Sequence, residues 1–115
     1  MTAPIVFFDI AGPDSKQLRK FYADIFGWES ANSGNFTTPV VSPLPATFRQ
    51  DPAEKILYIG VDDIAETLTQ VASHGGSVDA PRFEVPGVVV LGLFRDPAGN
   101  RMGLVEMRGG KPIVP

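Results

Sequence analysis

A chain of 115 residues is long enough for one domain, or for two half-size modules sharing a core, and too short for two independent domains of ~100 residues each. The net charge of −3 denies nucleic acid and anionic membranes the positive field they reward, and no apolar run approaches the ~20 residues of a membrane span. With no cysteine there are no disulfides, no thiolate chemistry and no Cys-based zinc site. The start, Met1-Thr2-Ala3-Pro4, has no basic region ahead of an apolar core and does not read as a secretory signal, so a cytoplasmic location is expected.

Ile5 to Ile10 is short, β-branched and aromatic, and reads as a strand that Ala11-Gly12-Pro13 breaks. Asp14 then stands as an N-cap, with Gln17 three residues on. Leu18, Phe21, Tyr22 and Ile25 follow at helical spacing on one face, and Gly27 ends the helix in the left-handed conformation that glycine adopts cheaply. Trp28 to Asn32 and Thr37 to Val41 read as short strands across a Ser33-Gly34-Asn35 turn, before Pro39, Pro43 and Pro45 limit regular pairing. Trp28 is expected to anchor the helix to the sheet.

The same order then recurs. Lys55 to Val61 reads as a strand, Asp63 to Glu66 as a second capping box, and Ile64, Leu68, Val71 and Ala72 as the apolar face of a second helix closed by His74-Gly75-Gly76. Asp14 and Asp63, Ala23 and Ala72, and Gly27 and Gly76 correspond at one constant offset, so the chain carries an internal repeat. Val88 to Arg95 and Arg101 to Met107 are strands of a hairpin joined by Asp96-Pro97-Ala98-Gly99-Asn100, and Gly109 to Pro115 reads as a loose end. The whole reads β-α-β-β-β twice, the first copy abbreviated. No Gly-x-Gly-x-x-Gly and no Gly-x-x-x-x-Gly-Lys-Ser/Thr occurs, which removes dinucleotide and P-loop readings. A ferredoxin-like dimer, which needs only four strands, ranks behind.

Three stretches carry a family resemblance: Leu18-Arg19-Lys20-Phe21-Tyr22 through Phe26-Gly27-Trp28, Val61-Asp62-Asp63 through Gly75-Gly76, and Phe94-Arg95-Asp96-Pro97-Ala98-Gly99-Asn100. In this order they resemble the vicinal oxygen chelate superfamily, which groups glyoxalase I, extradiol dioxygenases and bleomycin-resistance proteins. The resemblance implies an α+β fold of paired βαβββ modules whose curved mixed sheets enclose a ligand cavity, commonly in a homodimer. It also implies one glyoxalase-like domain over residues 1–107, with modules over about 4–50 and 55–107, and a tail over 108–115.

Metal-dependent members carry histidine or glutamate on the first and last strands of each module. The corresponding positions here are Ile5 or Phe7, Ile56 or Tyr58, and Gly103, and residues 30–50 contain no histidine, aspartate or glutamate. Divalent ions need imidazole, carboxylate or thiolate donors at ~2 Å, so no metal and no cofactor is expected. The single histidine, His74, falls at a helix end, where a structural role outweighs a ligand role.

The candidate ligand-binding residues are Phe7, Asp9, Phe48, Tyr58 and Arg101. Asp9 is also the candidate acid or base if it faces an apolar pocket; the alternative is a solvated carboxylate or one paired with an arginine. Tyr58 offers an aromatic wall and a hydroxyl, or fills the core. Arg101 can grip a carboxylate or phosphate, or end a hairpin in solvent. Phe7 and Phe48 line a cavity or simply pack. Gly60, Gly92 and Gly103, within strands, either leave room for a bound molecule or allow close approach of sheets or subunits. Asn35-Phe36-Thr37 matches a glycosylation acceptor without consequence in the cytoplasm. The expectation is a metal-independent protein that binds a hydrophobic or aromatic metabolite or drug, with a small lyase or isomerase using Asp9 as general base as the alternative.

Overall fold

The computed structural model describes residues 10, 12–36, 40, 50, 52 and 55–115. Most of the expected strand over 5–10 and of that over 37–41 lies outside the described residues, as do Phe7, Asp9 and Phe48.

Helix α1 spans Ser15–Phe26. The Asp14 carboxylate accepts from the Gln17 amide at 3.0 Å, and Gly27 takes the left-handed C-cap with φ 70°. Leu18, Phe21 and Tyr22 are buried. Beyond the cap the chain departs from expectation. Trp28 to Asn32 forms no strand: Ala31 and Asn35 close a tight turn (Ala31 N–H to Asn35 O, 2.9 Å), with no partner strand among the described residues. Trp28 stacks on Tyr22 of α1 at a centroid distance of 5.4 Å and packs against the core cluster.

The second module is complete. Strand β1 (Tyr58–Val61) leads to α2 (Ile64–Ser73), then β2 (Ser77–Val85), β3 (Val89–Arg95) and β4 (Arg101–Arg108), with a two-residue β5 at Lys111–Pro112. The sheet order is β1-β4-β3-β2, with β1 parallel to β4, the other pairs antiparallel and β5 paired to β4 beyond the end of β1; the sheet is mixed and open. The parallel β1–β4 pair requires a crossover, which α2 opens.

Three expectations shift here. Ala72 is exposed, and the buried face of α2 is Ile64, Thr67, Leu68 and Val71. Thr67 tolerates burial because its hydroxyl donates to the Asp63 carbonyl at 2.8 Å. Strand β2 escapes sequence reading because Asp79, Pro81 and Arg82 interrupt its apolar pattern; as an edge strand it accommodates the proline. The tail is not loose: the Ile113 amide donates to Glu106 O, the Gly87 amide donates to Pro115 O (both 2.9 Å), and Ile113 packs against the core.

The core lies between the helices and one face of the sheet, where Ile64, Leu68 and Val71 meet Val90, Phe94, Met102 and Leu104. Phe94 and Leu104 are completely buried, each a side chain worth about 1.5–3 kcal/mol in transfer from water. Gly92 faces the same way: a Cβ there would come within 2.6 Å of Ile64 Cγ2, so the glycine sets how closely α2 approaches the sheet. Glu106, with the same strand parity, is buried and accepts from the Ile64 amide (3.1 Å) at the start of α2 and from Arg82 (Nε 3.0 Å, Nη2 3.0 Å). Hydrogen bonding to Arg82 foremost holds its carboxyl below the ordinary 4.5, against the opposing effect of desolvation. The β3–β4 hairpin is organised by Asp96, which is buried and accepts from Ala98 N, Asn100 N, Asn100 Nδ2 and the Tyr22 hydroxyl. Burial, then the Asp96 charge, drives the Tyr22 phenol far above its usual value. No helix of the described residues is long and apolar enough to cross a membrane.

Candidate functional site

Side chains alternate across a strand, so the residues between those of the core form the opposite, open face of the sheet. One cross-strand row on that face is Tyr58 on β1, Gly103 on β4, Leu93 on β3 and Ala80 on β2. The next is Gly60, Val105, Leu91 and Phe83. Leu93 is buried yet stands apart from the helix-side cluster. Tyr58 and Phe83 are exposed, at 47% and 39%.

Tyr58 and Gly103 are direct partners in the parallel register. A Cβ on Gly103 would fall on the Tyr58 ring, with Cγ at 3.1 Å and Cδ1 and Cε1 closer still, so the ring lies over the glycine backbone. Gly60 is covered in the same way by Met107, whose Cγ and Sδ lie 2.9 and 3.1 Å from the site of its missing Cβ. The two glycines therefore serve close approach of neighbouring side chains within one sheet.

The register also pairs the two positions of this module at which the family resemblance implies metal ligands. One holds a phenol and the other no side chain, so the pair offers neither imidazole nor carboxylate and does not fit a divalent ion. Among the described residues no group of three or more His, Asp or Glu is placed to hold one. His74 lies at the C-terminal end of α2, with its Nδ1 2.8 Å from the Gln70 carbonyl.

At one end of the open face Arg95 and Arg101 are cross-strand partners. Like charges set opposite one another repel, and a carboxylate between them relieves it. Asp79 supplies it, 2.8 Å from Arg101 Nε and 3.5 Å from Arg95 Nε. The β2–β3 register shifts between Val78 and Ala80, so Asp79 is the extra residue of a bulge, a device that re-aims a side chain. Arg95 is further fixed by donating to the Gly99 carbonyl at 3.0 Å. The structure thus places Tyr58 and Arg101 on one face, two residues apart in register. Sequence reading missed Asp79 because the bulge breaks the two-residue period of its strand, and it passed over Arg95 although the β3–β4 hairpin sets it opposite Arg101. It missed Glu106 as well, although a charge at the parity of Met102 and Leu104 was a usable signal. A separate shallow notch of about 50 Å³ lies between Pro13, Asp14, Gln17, Leu18, Pro97 and Ala98, with room for little more than water.

A mixed open sheet whose fourth strand returns in parallel beside its first, with one helix in the crossover between them, defines the class of protein. The profile of the glyoxalase-like domain family matches residues 5–105, and the chain belongs to that family. A protein of Didymella fabae described as a glyoxylase-like domain-containing protein is 27% identical over 117 aligned residues, covering 88% of this chain and 91% of that one. Among solved structures, a glyoxalase/bleomycin resistance protein/dioxygenase family enzyme of Burkholderia phytofirmans PsJN superposes with a TM-score of 0.70 at 14% identity, covering 92% of this chain and all of that one (100%). A lactoylglutathione lyase of Agrobacterium tumefaciens gives 0.55 at 19% identity, covering 91% and 96%. A glyoxalase-related enzyme of Fulvimarina pelagi gives 0.62 at 15%, covering 90% and 92%. At these identities the structural neighbours establish the fold of the vicinal oxygen chelate superfamily.

Proposed function

We propose that this protein is a metal-independent small-molecule-binding member of its family, taking a hydrophobic or aromatic metabolite or drug on the open face of the sheet. The observation that carries this reading is the Tyr58–Gly103 pair. Where a metal-dependent relative would need two donors there is an exposed aromatic ring lying on a glycine. Affinity then comes from burying apolar surface against Tyr58, Leu91, Val105 and Met107, at roughly 25 cal/mol per Å². Orientation comes from the Tyr58 hydroxyl and the Arg95–Asp79–Arg101 cluster at the end of the face. Phe7, Asp9 and Phe48 remain proposed contributors, and a homodimer is the proposed assembly.

The test combines three measurements on the purified protein: metal analysis with a Zn²⁺ and Ni²⁺ titration, thermal stabilisation by a panel of aromatic and aliphatic compounds, and turnover of the methylglyoxal–glutathione hemithioacetal. The expected outcome is no stoichiometric metal, saturable stabilisation by some of the panel, and no turnover. Tight stoichiometric metal, or turnover at an ordinary enzymatic rate, overturns the reading. Turnover of a panel compound that disappears in Asp9→Asn, while affinity survives, replaces it with the lyase or isomerase.

A further inference from the structure

On the proposed binding function rests a more specific claim: we infer that the open face selects planar aromatic rings, which lie parallel to Tyr58 and are distinguished from saturated rings of the same size. Three features lead there. First, the Tyr58 ring is laid down against the sheet, because the atoms that a side chain at 103 would hold are instead Cγ, Cδ1 and Cε1 of Tyr58. An approach by three ring atoms together, rather than by the ring's tip, turns one aromatic face to the backbone and the other outward.

Second, the outward face is accessible, since Tyr58 is 47% exposed although its inner side is pressed against a buried glycine. Third, the position next to the ring on this face of its own strand is a glycine. Gly60, two residues on along β1, contributes no side chain of its own, and the flexible thioether of Met107 lies across it. A flat ligand can therefore cover Tyr58 and reach Met107 together, combining offset stacking with a sulfur–aromatic contact. A puckered saturated ring of similar volume keeps the burial and loses both interactions. Stacking adds about 0.5–1.5 kcal/mol beyond area, roughly a twofold to tenfold preference.

The experiment is calorimetric titration with 2-naphthol and with trans-decahydro-2-naphthol, which carry a hydroxyl at the same position of a flat and of a puckered bicyclic frame. The difference between a phenolic and an aliphatic hydroxyl is controlled by the comparison with Tyr58→Leu. Wild type is expected to bind 2-naphthol saturably and roughly twofold to tenfold more tightly than the saturated alcohol. Tyr58→Phe keeps that ratio, whereas Tyr58→Leu, which keeps apolar bulk, brings it close to one. Gly103→Ala lifts the ring and lowers 2-naphthol affinity several-fold without affecting the saturated alcohol as much. Equal binding of the two alcohols by wild type, or a ratio that survives Tyr58→Leu in a protein with wild-type circular dichroism, overturns the inference and leaves the binder reading standing. Saturable binding of neither alcohol sinks both.

Discussion

Gly92 and Gly103 lie on neighbouring strands of one sheet and face opposite ways, and the contrast between them summarises how the two faces differ. Behind Gly92 is the first turn of α2, with Ile64 Cγ2 within 2.6 Å of where a Cβ would sit. That side chain is completely buried, and close-packed interiors give such a side chain little room to move. Above Gly103 is the ring of Tyr58, which is nearly half exposed and borders solvent. The same residue type therefore serves packing density on one face and presentation of an aromatic surface on the other. The helix face holds the packed core of the module, and the open face is the surface on which we propose recognition.

If that division holds, substitutions on the helix face damage folding first. Phe94→Ala removes a fully buried ring that neighbours Phe21 and Phe26 at 6.2 Å, and is expected to cost about 3–5 kcal/mol by denaturant unfolding. Gly92→Ala comes next at about 1–3 kcal/mol, since α2 must shift to admit the methyl group. A neutral result there would mean that the helix is not seated as closely as Gly92 indicates.

Glu106 extends the contrast to pH. Its carboxyl is held below the ordinary 4.5, chiefly by the Arg82 hydrogen bonds and also by the Ile64 amide. The folded form thus binds this proton less readily than the unfolded form does. The stability it contributes is complete above the unfolded value and is lost as pH falls through the lower folded one. Glu106→Gln is expected to lose stability at neutral pH and to flatten the acid limb of the stability–pH curve below about 4.5. An unchanged acid limb would show that Arg82, whose side chain is 38% exposed, is screened by solvent from contributing through this pair.

Much of the second module could be read from residues alone because its signals are local. Asp63 capping Glu66 N, the Ile64–Leu68–Val71 stripe and the Asp96–Asn100 turn each depend on contacts within a few residues. What escaped was set by partners distant in sequence. Strand β2 has no apolar alternation of its own and is held by β3, while β5 exists only because β4 outruns β1. Trp28 to Asn32 had strand-like residues and has no partner strand among the described residues. The site divides in the same way. Tyr58 and Arg101 were visible as residue types with the correct parity, but whether Ile56 or Tyr58 meets Gly103 depends on parallel register, which no local signal encodes. Asp79 needed a bulge to reach the arginines.

The smallest expected effect on stability is also the one that tests the open face most directly. In Gly103→Ala two terms oppose. Replacing a strand glycine gains roughly 0.5–1 kcal/mol of backbone entropy, while displacing the Tyr58 ring loses part of its contact with the sheet. Because the obstructing atoms belong to a half-exposed side chain that can rotate outward, the net change should stay within about 1 kcal/mol, unlike that of Gly92→Ala. The displaced ring can be followed separately. The chain has 2 tyrosines, and Tyr22 is buried at 4% exposure with its hydroxyl bonded to Asp96, so nitration by tetranitromethane reports on Tyr58. Gly103→Ala should nitrate Tyr58 faster than wild type by about the factor in which exposure of the ring rises, with Tyr22 unmodified in both. An unchanged rate would mean that the ring has turned edge-on rather than lifted. A stability loss as large as that of Gly92→Ala would mean that the open face is packed as tightly as the helix face, and the division between them would fail.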